Sequence, residues 1–392
     1  MTGQIVAMNW YNEFSCPGGD CGLTCCTTTW RILLKDEEIE MYKSLDNDYK
    51  DKILAAIDEE KKCFCGGDDK KCAMLNEDGY CNIVLNVGEE YLSTTCKKFP
   101  RMSRKFVFLE EAYVEISCPL VAEMLFKPDS IFFTVGDLKF KEKDLATVNA
   151  NLILDLYSLR TSLIDVLQKY PCEHLYGKTF ILSKVLLESY TRNNDHGFNT
   201  SDVETLKNTF LSPEVVEKTF AMCASLSDNF AAKAQYLYKT LIDSEALSIL
   251  TYALTGSNDQ YPFIETRINE WLKDGESFGI DFLNYIKLLR KNYPSFVENY
   301  YIYSLFSKWL PKQDELFGVK TASNFMGLFY IHLSAMAVLK ENGELNKKDF
   351  SVIVASIARF CERNKEFCDR AGNFFLKKCI EDPMYFIMTT IG

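Results

Sequence analysis

Four cysteines fall within one short stretch near the N-terminus, Cys16-Pro-Gly-Gly-Asp-Cys21-Gly-Leu-Thr-Cys25-Cys26. Four more follow at wide intervals: Cys72, Cys81, Cys96 and Cys118. Thiolates are soft ligands, and several brought together select zinc, copper(I) or an iron–sulfur cluster. Gly18, Gly19 and Gly22 let the backbone wrap closely around an inorganic group. The stretch reads as half of a metal site, and the rest of the chain has to fold so as to supply the other half.

The 15 cysteines are unevenly placed. Ten lie at or before Cys118, whereas Cys172, Cys223, Cys361, Cys368 and Cys379 are scattered and read as small core residues. The three histidines, His174, His196 and His332, lie outside the cysteine-rich part, so an all-thiolate site is expected. Paired CxxC knuckles are missing, which argues against a zinc finger. The residues alone leave an iron–sulfur cluster, a four-cysteine zinc site and no metal at all open. Cys21 and Cys25 match the first two thiols of a CxxxCxxC spacing, but its third position holds Thr28. No GxGxxG is present to suggest a dinucleotide loop.

A net charge of −11 argues against nucleic acid as a partner. Residues 1–14 lack the basic and apolar regions of a secretory signal. No uninterrupted apolar run approaches the roughly 20 residues that span a bilayer. The expectation is a cytoplasmic protein without membrane contact, where reduced thiols serve metals or catalysis more often than disulfides.

The expected fold is mainly α. A small cysteine-rich α+β metal-binding domain, residues 1–145, precedes a helical bundle or array, residues 146–392. In the first part, residues 27–34 and 106–116 read as strands, and 36–42 and 48–60 as helices. Residues 63–71 read as a loop, and Asp78-Gly79 as a tight turn that brings Cys72 near Cys81. Pro119 suits the first position of a helix, which places Cys118 at a helix N-terminus with its thiol pKa lowered. Beyond residue 145, helical periodicity predicts helices over 152–170, 180–187, 229–253, 263–273, 279–290, 294–309, 322–340, 348–364 and 371–381, with another starting at Ser212-Pro213.

Phe14-Ser15-Cys16, Cys21, Cys25-Cys26, Trp30, Cys72 to Leu75, Glu77-Asp78, Cys81, Gly88, Thr95-Cys96, Phe99-Pro100-Arg101 and Ser117-Cys118-Pro119 together resemble the flagellin lysine N-methylase family. Weaker similarity continues at Glu298-Asn299-Tyr300 and over 329–340. Ala73, Leu120 and Arg363-Asn364-Lys365 stand where that family often has proline, glutamate and histidine. The resemblance implies a bacterial cytoplasmic enzyme that methylates lysines of flagellin, its partner. It implies S-adenosylmethionine as methyl donor and an iron–sulfur cluster, of 4Fe-4S type, with zinc as the alternative metal. The expected ligand set is Cys16, Cys21, Cys25, Cys26, Cys72, Cys81, Cys96 and Cys118. A metal-stabilised flagellin-binding or secretion factor without catalytic activity is the alternative.

Arg101, five residues after Cys96, is the expected anchor for the carboxylate of S-adenosylmethionine, since a guanidinium binds carboxylates bidentately. Its competing role is to fix the neighbouring loop. Glu89, Glu90, Glu111 and Glu115 read as solvated surface charges. In the aromatic segment 293–309, Phe296, Tyr300, Tyr303 and Phe306 form a core stripe. Tyr301 and Trp309 lie off it and are the expected contacts for a protein partner. The isolated segment 1–145 is expected to keep the cluster but not the activity.

Overall fold

The structure is a computed structural model that describes residues 2–18, 21, 25–27, 32–65, 71–106, 109–129, 131–139, 150–224, 230–257, 261–311 and 316–390. Gly19, Gly22, Trp30, half of the strand expected over 27–34, much of the loop over 63–71 and the boundary at 145 lie outside the described residues.

The chain opens with β1 (Thr2–Met8), which runs directly into α1 (Asn9–Glu13). Its partners come from much later: β5 (Arg101–Lys105), β6 (Leu109–Val114) and β7 (Phe133–Lys139). They form one sheet in the order β5-β6-β1-β7. β1 runs parallel to β6, with Val6 opposite Glu111, and antiparallel to β7, with Val6 opposite Val135. A parallel pair needs a long crossover, and here the crossover is the cysteine-rich lobe itself.

That lobe contains α2 (Asp36–Lys43), α3 (Lys50–Ala55), α4 (Asn82–Asn86) and α5 (Thr94–Lys98). It also holds a short sheet of β2 (Ile32–Leu33), β3 (Ile57–Asp58) and β4 (Cys63–Phe64), ordered β2-β4-β3. The helix expected over 48–60 stops at Ala55 because Ile57 and Asp58 pair with β4. The Asp58 carboxylate then accepts a hydrogen bond from the Lys61 amide at 2.9 Å and turns the chain. Ile32, Leu34, Ile39, Tyr42, Ile53, Phe64, Met74 and Ile83 make a small core of their own. After β6, α6 (Pro119–Met124) begins at the proline as expected.

The rest is a helical array: α7 (Ala150–Lys169), α8 (Leu175–His196), α9 (Thr200–Leu206), α10 (Pro213–Cys223), α11 (Phe230–Leu241), α12 (Ser244–Ser257) and α13 (Phe263–Trp271). It continues with α14 (Gly275–Asn292), α15 (Phe296–Lys308), α16 (Val319–Asn342), α17 (Lys347–Arg363), α18 (Lys365–Glu381) and α19 (Met384–Thr390). The fold is thus mainly helical with a small cysteine-rich α+β part, as the sequence predicts. The single helix expected over 229–253 is two. The Asp243 carboxylate accepts from the amides of Glu245 and Ala246 at 3.0 and 3.2 Å, and so caps a new helix.

α15 and α16 are buried on all sides and form the axis of the array. α16 is long and apolar enough to cross a membrane, but 94% of its apolar window is buried against other helices, as in a core helix. Gly372 on α18 allows the close crossing over α16, since an added Cβ would lie 2.2 Å from the Val319 carbonyl. Tyr301 and Trp309 are fully buried, which corrects their assignment to a partner surface. The Tyr301 hydroxyl donates to Thr390 Oγ1 at 2.9 Å, and the Trp309 indole N–H donates to the Leu156 carbonyl at 3.0 Å. With helices packed all round α15, there is no off-stripe face left for a partner.

The sheet and the array share one core, which runs from Val6, Met8 and Trp10 through Leu156 and Tyr303 to Phe386. At its heart Glu111, fully buried on β6, receives both Arg104 of β5 and Arg160 of α7. Arg104 also donates to the carbonyls of Phe306 and Leu310, and Arg160 to that of Phe306. Glu111 is therefore a buried strut and not a surface charge. Glu115 is also nearly buried, 3.5 Å from Lys308 Nζ. Glu89 and Glu90 are exposed, as expected. An isolated segment 1–145 would lose Arg160, the Phe306 carbonyl and most of this core, so the packing argues against its independent folding.

Candidate metal centre

The cysteines reach one place by separate local devices. Cys16 leaves α1 under the grip of Arg101, which donates from Nε to the Tyr11 carbonyl at 3.0 Å and from Nη2 to the Phe14 carbonyl at 2.6 Å. The same guanidinium lies over the rings of Tyr11 and Phe14. Gly18, at φ +66°, turns the chain and points its amide at Cys16 Sγ, 3.4 Å away. Cys25 and Cys26 sit in a short 3-10 turn, Cys25–Thr27. The Cys72 amide donates to the Cys26 carbonyl at 2.8 Å and draws the two segments together. The turn at Asp78-Gly79, where Gly79 has φ +86°, closes a small loop with a bridge between Leu75 and Cys81. Cys81 precedes α4, Cys96 sits in α5, and Cys118 precedes α6.

These devices converge on one cavity of about 200 Å³. Cys16, Cys21, Cys25, Cys26, Cys81, Cys96 and Cys118 line it. Cys72 stands behind, its thiol hydrogen-bonded to that of Cys26. The rest of the wall is mostly apolar, including Leu75, Leu92, Phe99 and Leu120, and Tyr80, Val84 and Leu85 reach solvent at its mouth. The lobe, the start of α6 and the helical array all contribute, the last through Arg359 of α17.

The buried sulfurs crowd one another. Burial pushes the Cys96 thiol up to about 12, helped by Cys25, Cys72 and Cys81. Cys26 is pushed up by its hydrogen bonds with Cys25 and Cys72, while the bond from Cys26 draws Cys72 down. Burial raises Cys81 as well. It also sends Cys118 up to about 11, against the lowering by the amides of Val121 and Leu120. The expected activation of Cys118 by its helix end is thus overridden by burial. Cys21 and Cys118 lie at the Arg359 end of the cavity, and Cys25 couples to both ends. Thiols held neutral by burial and crowding are what a bound cationic centre would deprotonate. The donor set therefore fits an all-thiolate inorganic group. Among the described residues, no three His, Cys, Asp or Glu side chains already close on a single ion.

Arg101 stands outside the cavity wall, with Nε and Nη2 engaged by backbone carbonyls of the Cys16 segment. Arg359 is the residue that sequence reasoning missed. It is the one charged side chain among the described wall residues, and its Nε donates to the Ser117 carbonyl at 2.8 Å. Its signal was an arginine inside the otherwise apolar run Ile357-Ala358-Arg359-Phe360-Cys361. Nothing in the spacing linked that run to cysteines more than 240 residues earlier.

No curated protein and no solved structure shows a significant match to the chain. A family model, that of the FliB lysine N-methylase C-terminal domain, matches residues 160–389. The match contains Arg359 but none of the eight cysteines around the cavity, so it is separate from the likeness carried by the first 120 residues. It spans more than half of the 392 residues, and the chain belongs to the FliB lysine N-methylase family.

Proposed function

We propose that this methylase transfers methyl groups from S-adenosylmethionine to lysines of flagellin in the cytoplasm, with an iron–sulfur cluster in the cysteine cavity. The observation that carries the reading is the convergence of seven cysteines from four separate segments on one cavity, in a chain of a lysine-methylase family. The thiols are spread around about 200 Å³, which suits an extended inorganic group better than one ion. Cys16, Cys21, Cys25, Cys26, Cys72, Cys81, Cys96 and Cys118 are the proposed ligand pool, larger than the four that one cluster uses. When bound, a cluster supplies iron that can coordinate or reduce a ligand at the cavity.

The walls have a second task. A lysine ammonium, with an ordinary pKa of about 10.4, has no lone pair to accept a methyl group. An entrance lined by Tyr80, Val84 and Leu85 can take the aliphatic stem of a lysine. The apolar wall of Leu75, Leu92 and Leu120 then disfavours the charged amine and lowers its pKa. Arg101 holds the Cys16 segment in place while this happens.

Protein purified without oxygen should be brown, with iron and acid-labile sulfide. Labelled S-adenosylmethionine should transfer its methyl group to flagellin lysines. Cys96→Ser should lose iron, whereas Cys223→Ser, deep in the helical array, should keep it. Stoichiometric zinc without iron or sulfide would reject the cluster. Flagellin binding without methyl transfer would instead support a carrier role.

A further inference from the structure

We infer that Arg359 anchors a carboxylate inside the cysteine cavity, and that this carboxylate belongs to the amino-acid end of S-adenosylmethionine. The inference rests on the methylase reading and deepens it. A carboxylate entering a largely apolar cavity loses hydration and needs a buried partner. Among the described wall residues there is no aspartate or glutamate and one cation, Arg359. Its guanidinium is pre-oriented, because Nε is fixed on the Ser117 carbonyl next to Cys118. A guanidinium is planar and forked, a geometry suited to a carboxylate. Its electrostatic neighbours are Cys21, Cys25 and Cys118, so the anchored end of the ligand would lie against the thiols.

Two further features support the assignment. Among the described residues Arg101, a second arginine near the cysteines, bonds the carbonyls of Tyr11 and Phe14 and stays outside the wall. Arg359 also lies within the matched family region, whereas the thiols lie outside it. The ligand site is therefore shared: the lobe gives sulfur and the helical array gives the cation.

The test compares two nucleosides on the full-length protein by titration calorimetry: S-adenosylhomocysteine, which carries the amino-carboxylate end, and 5′-methylthioadenosine, which lacks it. Arg359→Gln should weaken S-adenosylhomocysteine by about 10- to 100-fold, the range for a hydrogen bond to a charged group. It should leave 5′-methylthioadenosine unchanged. Arg359→Lys keeps the charge without the fork and should show a smaller loss, again on the first ligand only; it also serves if the glutamine variant fails to fold. Equal losses on both ligands, or none in a protein with an unchanged melting temperature, would overturn the inference. A selective loss in Arg101→Lys alone would move the anchor to Arg101 and overturn it as well. Wild-type protein that binds neither nucleoside would instead overturn the methylase reading on which the inference stands.

Discussion

The large core draws on both ends of the chain, from Val6 to Phe386, and the small core only on residues between Ile32 and Ile83. In the large core, helices such as α15 and α16 are enclosed on every side, and apolar burial dominates. The small core has short helices, two-residue strands and a wall of thiols. A unit that small rarely builds enough apolar burial to stand alone, and metals or cross-links commonly make up the difference. The same chain thus holds two unlike regions: close packing where the helices meet, and a thiol-lined cavity beside the small lobe. The large core has a polar element of its own, the Arg104–Glu111–Arg160 strut between the sheet and the array, and Arg359 carries the array to the edge of the thiol cavity.

The strut is where this contrast is easiest to break. Glu111→Ala leaves two guanidinium groups buried without their shared partner and should cost about 3–5 kcal/mol in urea unfolding. The loss should appear in the sheet and the array together, because both sit in one core. If only the sheet residues lose hydrogen-exchange protection, the two parts are energetically separate and the single large core is the wrong description.

A somewhat smaller effect concerns pH. Burial lowers His332 to about 4, beneath the ordinary value of about 6.5. In its neutral form Nδ1 accepts from the Tyr285 hydroxyl at 2.7 Å, and Nε2 faces the Thr390 carbonyl at 3.4 Å. As pH falls the unfolded chain takes the proton first, so the stabilisation is whole above about 6.5 and is lost on the way down to about 4. The loss should reach about 3 kcal/mol at most. His332→Gln should flatten that slope while leaving the iron content untouched. An unchanged slope would mean that other groups set the acid sensitivity of the large core.

The smallest effect sharpens the picture of the lobe. The buried Tyr42 donates to the Tyr91 carbonyl at 2.8 Å and ties α2 to the segment before α5. Tyr42→Phe should cost about 1 kcal/mol, read as faster amide exchange confined to the lobe. Spread of that effect into α15 or α16 would show that the lobe has no stability of its own.

The helical array was largely legible in the sequence, because periodic apolar positions such as Leu156, Leu159 and Leu163 report a buried face directly. The gathering of the cysteines was legible too, since seven of the eight singled out by their clustering line one cavity. Burial of charge was not. Glu111 looks like any surface glutamate until β6 is paired on both sides and α7 is laid across it. Tyr301 and Trp309 were misjudged for the related reason that one-sided periodicity cannot foresee a helix enclosed all round. Arg359 was invisible because its neighbours in space are more than 240 residues away in sequence.

That separation has a consequence for how the molecule comes into being. The cavity wall begins at Cys16 and ends at Arg359, and β1 cannot complete its sheet until β6 and β7 have been made. A chain emerging from the ribosome exposes its thiols long before the wall that encloses them exists. Contacts this distant in sequence form late in folding. Loading of the proposed inorganic centre would therefore belong to the end of biogenesis, with the early cysteines in need of protection from oxidation during the wait.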